Sequence, residues 1–317
     1  MIARNLQPFI RTYATQYPVV AIVGPRQSGK TTLVRHIFPG HKYLSMENLD
    51  IRHMAQDDPR GFLDDNGTNL ILDEIQRVPS LFSYLQERVD FDDRPSNYIL
   101  TGSQQFLLME KITQSLAGRI ITFSLYPFSF NELHGTISDD SIDSIFEIKP
   151  VNKKSKQQAD IFKTIFTGMY PRIHDKKLDA RKWLENYIAT YVERDIRSLV
   201  NVENLKLFED FLKISASMSG QLINYTSISN SIGISQPTVK KWISLLETSG
   251  ILFILPPYYR NYKKRVVKTP KLYFTDTGLL CFLLSIRTPE DLRGHPLFGH
   301  IFETFIISEF YKRAHHI

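Results

Sequence analysis

The sequence predicts an α/β domain with three layers and a mainly parallel β-sheet, followed by a helical region and a smaller domain. Three short apolar segments, at 19–23, 70–72 and 98–100, have the length and composition of buried strands. Each leads into glycine or polar residues, and the first is followed by a helical pattern at 30–38. Buried strands that alternate with helices are typical of a sheet covered on both faces.

Composition limits the class of protein. The chain has 317 residues, of which 42% are hydrophobic, as expected for a folded globular protein. Its one cysteine, Cys281, excludes an intrachain disulfide framework and a cysteine-rich zinc site. No apolar run approaches the roughly 18 residues that a membrane span requires, and residues 1–13 read as an amphipathic helix rather than a signal sequence. We therefore expect a cytoplasmic protein without membrane contact.

A phosphate-binding loop is predicted between the first strand and the helix that follows it. Gly24, four further residues and Gly29-Lys30-Thr31 fit the GxxxxGKT pattern known as Walker A. The glycines let backbone N–H groups point at phosphates, Lys30 supplies a positive charge, and Thr31 offers a hydroxyl to Mg²⁺. A glycine-rich turn beside an ordinary lysine is the weaker interpretation, because strand, loop and helix occur in the required order. The predicted ATP-binding residues are Gly24, Pro25, Arg26, Gln27, Ser28, Gly29, Lys30, Thr31 and Thr32.

A pair of carboxylates follows the second buried strand. Asp73 is predicted to hold Mg²⁺ together with Thr31, and Glu74 to polarise the attacking water while Lys30 stabilises charge. Taken alone, an Asp-Glu pair after an apolar run is more often a helix cap or a solvated turn. The Walker A loop earlier in the chain favours catalysis instead. Residues 43–47 predict one more strand between the two Walker strands, a layout that favours ATPases with a dedicated catalytic glutamate.

Two further side chains are candidates for catalysis. Ser103, at the end of the third strand, is favoured over Thr101 as a sensor of the γ-phosphate, although a simple Ser/Thr/Gly turn explains these residues equally well. Arg119 follows a glycine and precedes a strand-like run. An arginine there could neutralise charge on a transferred phosphoryl group, in cis or from a neighbouring subunit. A surface ion pair is the alternative for Arg119.

A helix-turn-helix is predicted at 226–248, because Gly233 allows a tight turn and Ser235 can cap a second helix with an apolar inward face. The hairpin that follows makes this a winged-helix pattern. Residues 221–271 hold eight basic side chains and one acidic side chain, a net charge of +7, which favours an anionic partner. The predicted DNA contacts are Gln236, Thr238, Lys240, Lys241, Lys263, Lys264 and Arg265. The alternative is a module that packs within the molecule and whose lysines are simply solvated.

The segment between these two parts mixes charges of both signs with few large apolar residues, which predicts an exposed linker. Helical periodicity returns at about 161. The predicted domains are a P-loop domain at 1–135, a linker at 136–160, a helical lid-like region at 161–215, a winged helix at 216–290 and the start of a further domain at 291–317.

The segments GPRQSGKTTL, LILDEIQRVP, ILTGS, LAGR and YPFSFNEL resemble a group of uncharacterised prokaryotic AAA-type ATPases. The similarity extends over nearly the whole chain and includes GMYP at 168–171 and KTPKLYFTDTGLL at 268–280. The resemblance implies that Lys30 and Thr31 bind ATP and Mg²⁺, that Asp73 holds the metal and that Glu74 activates water. Arg119 matches the arginine of the Gly-Arg motif of this group.

The resemblance also implies a final nuclease-like domain, of which LFGHIFETFIISEF would be the first helix. The sequence stops at Ile317, before the metal-site motifs of that domain, so Glu303 and Glu309 would be isolated members of its site. Asp195 and Asp276 fall on motifs of the group, and helix capping or a structural ion pair is the favoured interpretation of both.

Three functions remain open on the sequence alone. The leading hypothesis is a Mg²⁺-dependent ATPase whose cycle controls contact with DNA or a partner protein, with assembly into a homo-oligomer as a further expectation. The second is a nucleotide-gated regulatory module with little turnover, in which the winged helix packs within the molecule. The third is a small-molecule kinase, which Glu74 and the basic segment disfavour because a kinase needs an acceptor pocket rather than a base that activates water.

Overall fold

The computed structural model describes residues 2–103, 115–134, 160–191, 205–258 and 269–315. Its main sheet has five parallel strands in the order β2-β3-β4-β1-β5. The strands are β1 (Val19–Gly24), β2 (Lys42–Ser45), β3 (Leu70–Asp73), β4 (Tyr98–Ser103) and β5 (Ile120–Ser124). The predicted parallel sheet is confirmed, and all five carboxyl ends lie at the same edge, which is where ligands bind in such sheets.

Helices cover both faces of this sheet because alternate residues of its central strand point to opposite sides. The helices of this part are α1 (Leu6–Ala14), α2 (Lys30–Ile37), α3 (Leu49–Asp57), α4 (Pro59–Asn66), α5 (Leu81–Phe91) and α6 (Phe130–His134). Val20 and Ile22 of β1 pack with α1 and α2, whereas Val19, Ala21 and Val23 pack with α3, α4 and α5. The three-layer prediction is therefore confirmed.

One strand lies elsewhere than predicted. The segment around 43–47 does form a strand, β2, but β2 is at the edge of the sheet, paired only with β3 among the described strands. The strand between the two Walker strands is β4, which pairs with β1 on one side and β3 on the other. Sequence order did not reveal this because parallel neighbours are joined by crossovers rather than hairpins.

The second part of the chain is mainly helical with a small antiparallel sheet in the order β6-β8-β7. Its helices are α7 (Ile161–Thr167), α8 (Pro171–Asp175), α9 (Ala180–Tyr191), α10 (Leu205–Ser217), α11 (Tyr225–Ile232), α12 (Gln236–Thr248), α13 (Thr277–Leu283), α14 (Pro289–Arg293) and α15 (Phe298–His315). Its strands are β6 (Gln221–Leu222), β7 (Leu252–Leu255) and β8 (Lys271–Phe274). One hydrophobic core contains residues from Phe128 to Phe305, so the described residues of this part pack as one body.

Helices α11 and α12 form the predicted helix-turn-helix. Gly233 ends α11 with a left-handed φ of 74°, and the Ser235 hydroxyl accepts a hydrogen bond from Thr238 N at the start of α12. Trp242 and Ile243 lie on the buried face of α12. The wing predicted around Lys263, Lys264 and Arg265 lies outside the described residues, so the winged helix stays a prediction.

Helix α15 is fixed against the first part of the chain. The buried Lys312 Nζ donates to Phe128 O over 3.0 Å, and Glu309 Oε2 accepts from Phe130 N over 2.7 Å. On its other contact, the ring of Tyr311 stacks on Phe253 of β7, in the second part, with centroids 3.8 Å apart.

Within the described ranges, no helix combines the length and apolarity needed to cross a membrane.

Candidate nucleotide site

The loop between β1 and α2 has a backbone that its sequence requires. Gly24 has φ 147°, and a Cβ atom there would lie 2.1 Å from Leu125 O, so only glycine fits. Gln27 and Gly29 are also left-handed, with φ 62° and 95°. Gly29 is the N-cap of α2, whose first N–H groups lack partners within the helix and attract anions. The predicted Walker A segment therefore has the backbone of a phosphate cradle.

Lys30 is buried and its ammonium lies inside this loop. Nζ donates to Gly24 O and to Pro25 O, both over 2.9 Å. The positive charge is thus held at the carboxyl end of β1 by two main-chain carbonyls. Since both acceptors are neutral, that charge can also attract an anion bound in the cradle.

Three hydroxyl groups converge on Asp73 at the end of β3. Thr31 Oγ1 donates to its carboxylate at 3.2 Å, Tyr43 OH donates to Oδ2 over 2.5 Å, and the Thr101 hydroxyl donates to Oδ1. Asp73 is only 6% exposed. Burial, and then the hydrogen bond to Asp73, raise the pKa of Tyr43 to about 12. A buried carboxylate surrounded by hydroxyls and facing the loop suits Mg²⁺, which prefers oxygen ligands and retains several waters.

Glu74 occupies a constrained position next to Asp73. It is half-buried and has left-handed backbone angles, φ 55° and ψ 43°, a conformation that costs a non-glycine residue about 1–2 kcal/mol. Its Oε2 accepts a hydrogen bond from the Gln76 side-chain amide, within the turn Ile75–Arg77. Such strain persists where the surrounding structure enforces it, which is common at functional sites. Sequence reasoning gave Gln76 no role.

The structure gives the two remaining catalytic candidates different positions. Ser103 ends β4 directly beside Gly24, although its side chain lies outside what the structure describes. Thr101, the residue that was disfavoured, donates its hydroxyl to Asp73. Ser103 as a γ-phosphate sensor stays a prediction.

Arg119 lies at the opposite edge of the sheet from the loop. It precedes β5, whose Ile120 pairs with Val19 at the start of β1, so about five residues or roughly 16 Å of strand separate it from Gly24. Its guanidinium pairs with Asp90 in a partly exposed ion pair. In this conformation the loop is beyond the reach of the side chain, so the role in cis is disfavoured. The ion pair with Asp90 is the alternative given above for Arg119, and a role towards a neighbouring subunit stays a prediction.

The described DNA candidates cluster on the first turns of α12. Gln236, Lys240 and Lys241 are exposed, and Lys240 Nζ lies 5.4 Å from the centre of the Tyr225 ring. Thr238 bonds to Ser235 within the cap. The other three candidates, Lys263, Lys264 and Arg265, lie outside the described residues.

Three carboxylates that fall on motifs have structural partners. Glu303 accepts from Lys271 Nζ over 2.7 Å and from Tyr273 OH over 2.6 Å. Glu309 accepts from Phe130 N, as described above, and also from Lys312 Nζ over 3.1 Å. Asp276 is fully buried, caps α13 through Leu279 N and accepts from Met169 N. That Glu303 and Glu309 belong to a nuclease-like site stays a prediction, whereas the capping role expected for Asp276 is observed. Asp195 lies outside the described residues.

A cavity of about 400 Å³ adjoins the phosphate loop, and the sequence gave no sign of it. Its wall includes Ile2, Gln27, Thr32, Leu33, Phe128 and Pro171. The charged side chains of Arg4, Arg172 and Asp175 also line it. The wall thus combines apolar surface with a few polar groups beside the cradle, as is usual for small-molecule pockets. These residues come from four separate segments of the chain, which explains why no local pattern revealed the cavity.

Comparisons with known proteins agree with this geometry. Residues 16–134 match the family described as "AAA domain", and residues 158–290 match "Domain of unknown function (DUF8612)". The Walker-type ATPase PABY2304 of Pyrococcus abyssi shares the fold, with a TM-score of 0.50 and 14% identity over 89% of this chain and 96% of that one. The fold and the loop therefore define an AAA-type P-loop domain, a class that binds nucleotides, joined to a second part of undefined class.

Similar sequences occur in Mycobacterium tuberculosis and in Methanocaldococcus jannaschii. The uncharacterised protein Rv2008c of Mycobacterium tuberculosis is 28% identical over 310 residues, covering 96% of this chain and 65% of that protein. The uncharacterised protein MJ1637 of Methanocaldococcus jannaschii is 26% identical over 295 residues, covering 81% of this chain and 60% of that protein. The chain thus spans less than two thirds of the length of these relatives.

Proposed function

We propose that the protein is a Mg²⁺-dependent ATPase whose nucleotide cycle controls the contact of its second part with DNA. The observation that carries the proposal is the hydroxyl–carboxylate cluster of Thr31 and Asp73, with Lys30 in the adjoining loop and Glu74 beside it. Thr31 and Asp73 would hold Mg²⁺, and the bound ion would neutralise charge on the phosphates of ATP. Neither the hydroxyl nor the carboxylate needs to move far, because Thr31 already contacts Asp73.

The roles of the other side chains follow from their positions. Lys30 and the N–H groups at the start of α2 bind the phosphates. Glu74 accepts a proton from the attacking water. Its fixed backbone limits how far the carboxylate can move away from the position of that water. The cavity beside Gln27 and Pro171 receives the nucleoside, and Arg172 in its wall places a positive charge near the phosphates.

A direct contact supports coupling between the nucleotide loop and the second part. Gly250 follows α12 with φ 70°, and a Cβ atom there would lie 2.9 Å from Pro25 Cδ. Pro25 belongs to the loop and offers its carbonyl to Lys30. Helix α12 has 13 residues and spans about 20 Å, so it joins the loop at one end to exposed Lys240 and Lys241 towards the other. A shift of the loop would therefore tilt the proposed DNA-contacting end.

DNA is the partner that this surface fits best. The net charge of +7 over 221–271 and the exposed polar start of α12 are the features that support it. Among the described residues, the helix pair α11–α12 next to the antiparallel sheet is compatible with the proposed winged helix, which also supports it. A partner protein or packing within the molecule would instead leave the affinity for DNA weak and independent of nucleotide.

Hydrolysis is tested with Lys30→Ala and Glu74→Gln. We expect both variants to lose Mg²⁺-dependent phosphate release, whereas Glu74→Gln retains ATP binding because the cradle is intact. Full turnover in both would refute the proposal.

DNA contact is tested with the double variant Lys240→Ala/Lys241→Ala. The log Kd of this variant for DNA should depend less steeply on log salt concentration than that of the wild type. An unchanged slope would support the packing alternative.

The nucleotide-gated module is the second candidate function, and one contact favours it. The Gln76 amide occupies one oxygen of Glu74, which restrains the carboxylate that would activate water. A protein of this kind would bind ATP and change its DNA affinity or oligomeric state with negligible turnover. Measuring phosphate release with and without DNA, alongside mass in ATP, separates the two candidates.

A further inference from the structure

We propose that Arg4 is a positioning residue of the nucleotide site, which fixes the orientation of the Ser28–Gly29 peptide in the phosphate cradle. Arg4 lies far from the Walker motifs in sequence and was not suggested by any pattern. Its side chain is buried, with 5% exposure, and lies directly behind the loop. The proposal rests on the proposed function, because it assigns the residue to nucleotide binding.

The guanidinium of Arg4 connects three separate segments. Nη1 donates to Ser28 O over 2.9 Å, Nη2 donates to Tyr126 O over 2.5 Å, and Nε donates to Glu132 Oε1 over 3.1 Å. The group also lies 4.8 Å from the centre of the Phe128 ring. Only arginine supplies a planar fork of N–H groups with this reach, so a lysine could not make the three contacts at once.

Glu132 holds the guanidinium in place. It is 2% exposed, and its two oxygens also accept from Asn5 N over 2.7 Å and from Ser129 N over 2.9 Å. Burial lowers the pKa of Arg4, and the Glu132 carboxylate opposes that shift. An ion pair with its remaining acceptors satisfied is rigid, so the position of Nη1 is well defined.

The contact with Ser28 O sets the direction of the next N–H group. In a planar trans peptide, the carbonyl of one residue and the N–H of the next point to opposite sides. Arg4 draws the Ser28 carbonyl out of the loop, which turns the N–H of Gly29 the other way. Gly29 is the N-cap of α2, so this N–H joins those at the anion-binding end of the helix.

Arg4 is close to this peptide on the side of the Ser28 carbonyl. Gly29 has φ 95°, and a Cβ atom there would lie 3.7 Å from Arg4 Nη1 and 3.8 Å from Pro171 Cγ. The Gly29 carbonyl accepts from Leu33 N of α2 over 3.0 Å, whereas the Ser28 carbonyl accepts from Arg4. Arg4 also lines the cavity beside the loop, where its charge adds to the attraction for an anion.

Nucleotide affinity separates positioning from general structural support. Arg4→Lys retains the charge and loses the fork, whereas Arg4→Met loses both. The matched control is Arg181→Met, which removes another guanidinium that donates to a main-chain carbonyl, Ile286 O over 2.7 Å, away from the loop and from the cavity wall. MgADP titration measures Kd for each protein, and thermal unfolding measures Tm in the absence of nucleotide.

Loss of charge-assisted hydrogen bonds predicts that both Arg4 variants bind MgADP about 10- to 100-fold more weakly than the wild type. Arg181→Met should lower Tm and keep Kd within about threefold of the wild-type value. Wild-type Kd in Arg4→Lys would overturn the inference, and so would an equal loss of affinity in Arg181→Met. If the wild-type protein itself fails to bind MgADP or MgATP, the proposed function and the inference are both refuted.

Discussion

A methyl group at residue 250 tests whether the second part of the chain is coupled to the phosphate loop. In Gly250→Ala, the new Cβ would lie 2.9 Å from Pro25 Cδ and 3.4 Å from two further atoms of that ring. The left-handed φ of 70° adds about 1 kcal/mol of backbone strain. Overpacking of a buried contact costs about 1–3 kcal/mol. We therefore expect the free energy of unfolding to fall by about 2–4 kcal/mol.

Gly233→Ala is the matched control. Gly233 has φ 74°, almost the same as Gly250, but a Cβ atom there would meet no heavy atom within 4 Å. Its cost is then the backbone strain alone, about 1 kcal/mol. The difference between the two variants isolates the contact with Pro25.

Denaturant unfolding gives the stabilities, and MgADP titration gives the affinities. Part of the overlap at residue 250 should be relieved by a displacement of the loop, which is also the structure that binds nucleotide. We expect Gly250→Ala to bind MgADP at least about fivefold more weakly, equivalent to 1 kcal/mol, while Gly233→Ala binds as the wild type does. Equal stabilities for the two variants, or wild-type affinity in Gly250→Ala, would refute transmission through this contact.

Three further predictions concern the chemistry and its control. Arg119→Ala should lower phosphate release at saturating ATP without changing ATP affinity, provided that the protein assembles; unchanged turnover in an assembled protein would exclude a role across subunits. Gln76→Ala should raise turnover at constant ATP affinity if the amide restrains Glu74, whereas reduced turnover would show that Gln76 supports catalysis. Because the pKa of Tyr43 is raised to about 12, its contribution to stability is complete below the unfolded value of about 10 and is lost as pH rises through 12. Tyr43→Phe should therefore flatten the fall in stability between pH 10 and 12, as measured by denaturant unfolding, and an unchanged profile would contradict this assignment.

The sequence was most informative for the residues of the site that are contiguous in the chain. Residues 24–32 form one continuous loop and helix start, so the GxxxxGKT spacing, with an apolar strand before it and a helical pattern after it, predicted the cradle and Lys30. Asp73 followed from strand polarity, because a carboxylate at the carboxyl end of a buried parallel strand must lie at the same edge as the loop. The same polarity argument could have placed Arg119 correctly, since it precedes a strand and hence lies at the other edge.

The parts that sequence reasoning missed depend on distant pairing. Tyr43 and Thr101 reach Asp73 only because β3 lies between β2 and β4, an order that the chain does not reveal. Arg4 and Glu132 are separated by 128 positions. A hydroxyl or guanidinium that acts across such a separation leaves no periodic pattern in sequence, so only the folded arrangement shows it.

The anchoring of α15 has a consequence for how the protein folds. The bonds from Lys312 to Phe128 and from Phe130 to Glu309 close chain loops of 184 and 179 residues. Contacts of such long range form late, because much chain entropy must be lost before they stabilise anything. During synthesis, the segment after β5 therefore emerges from the ribosome long before the helix that completes its packing. We expect this segment to be the part of the P-loop domain that depends on chaperones or on fast completion of the chain.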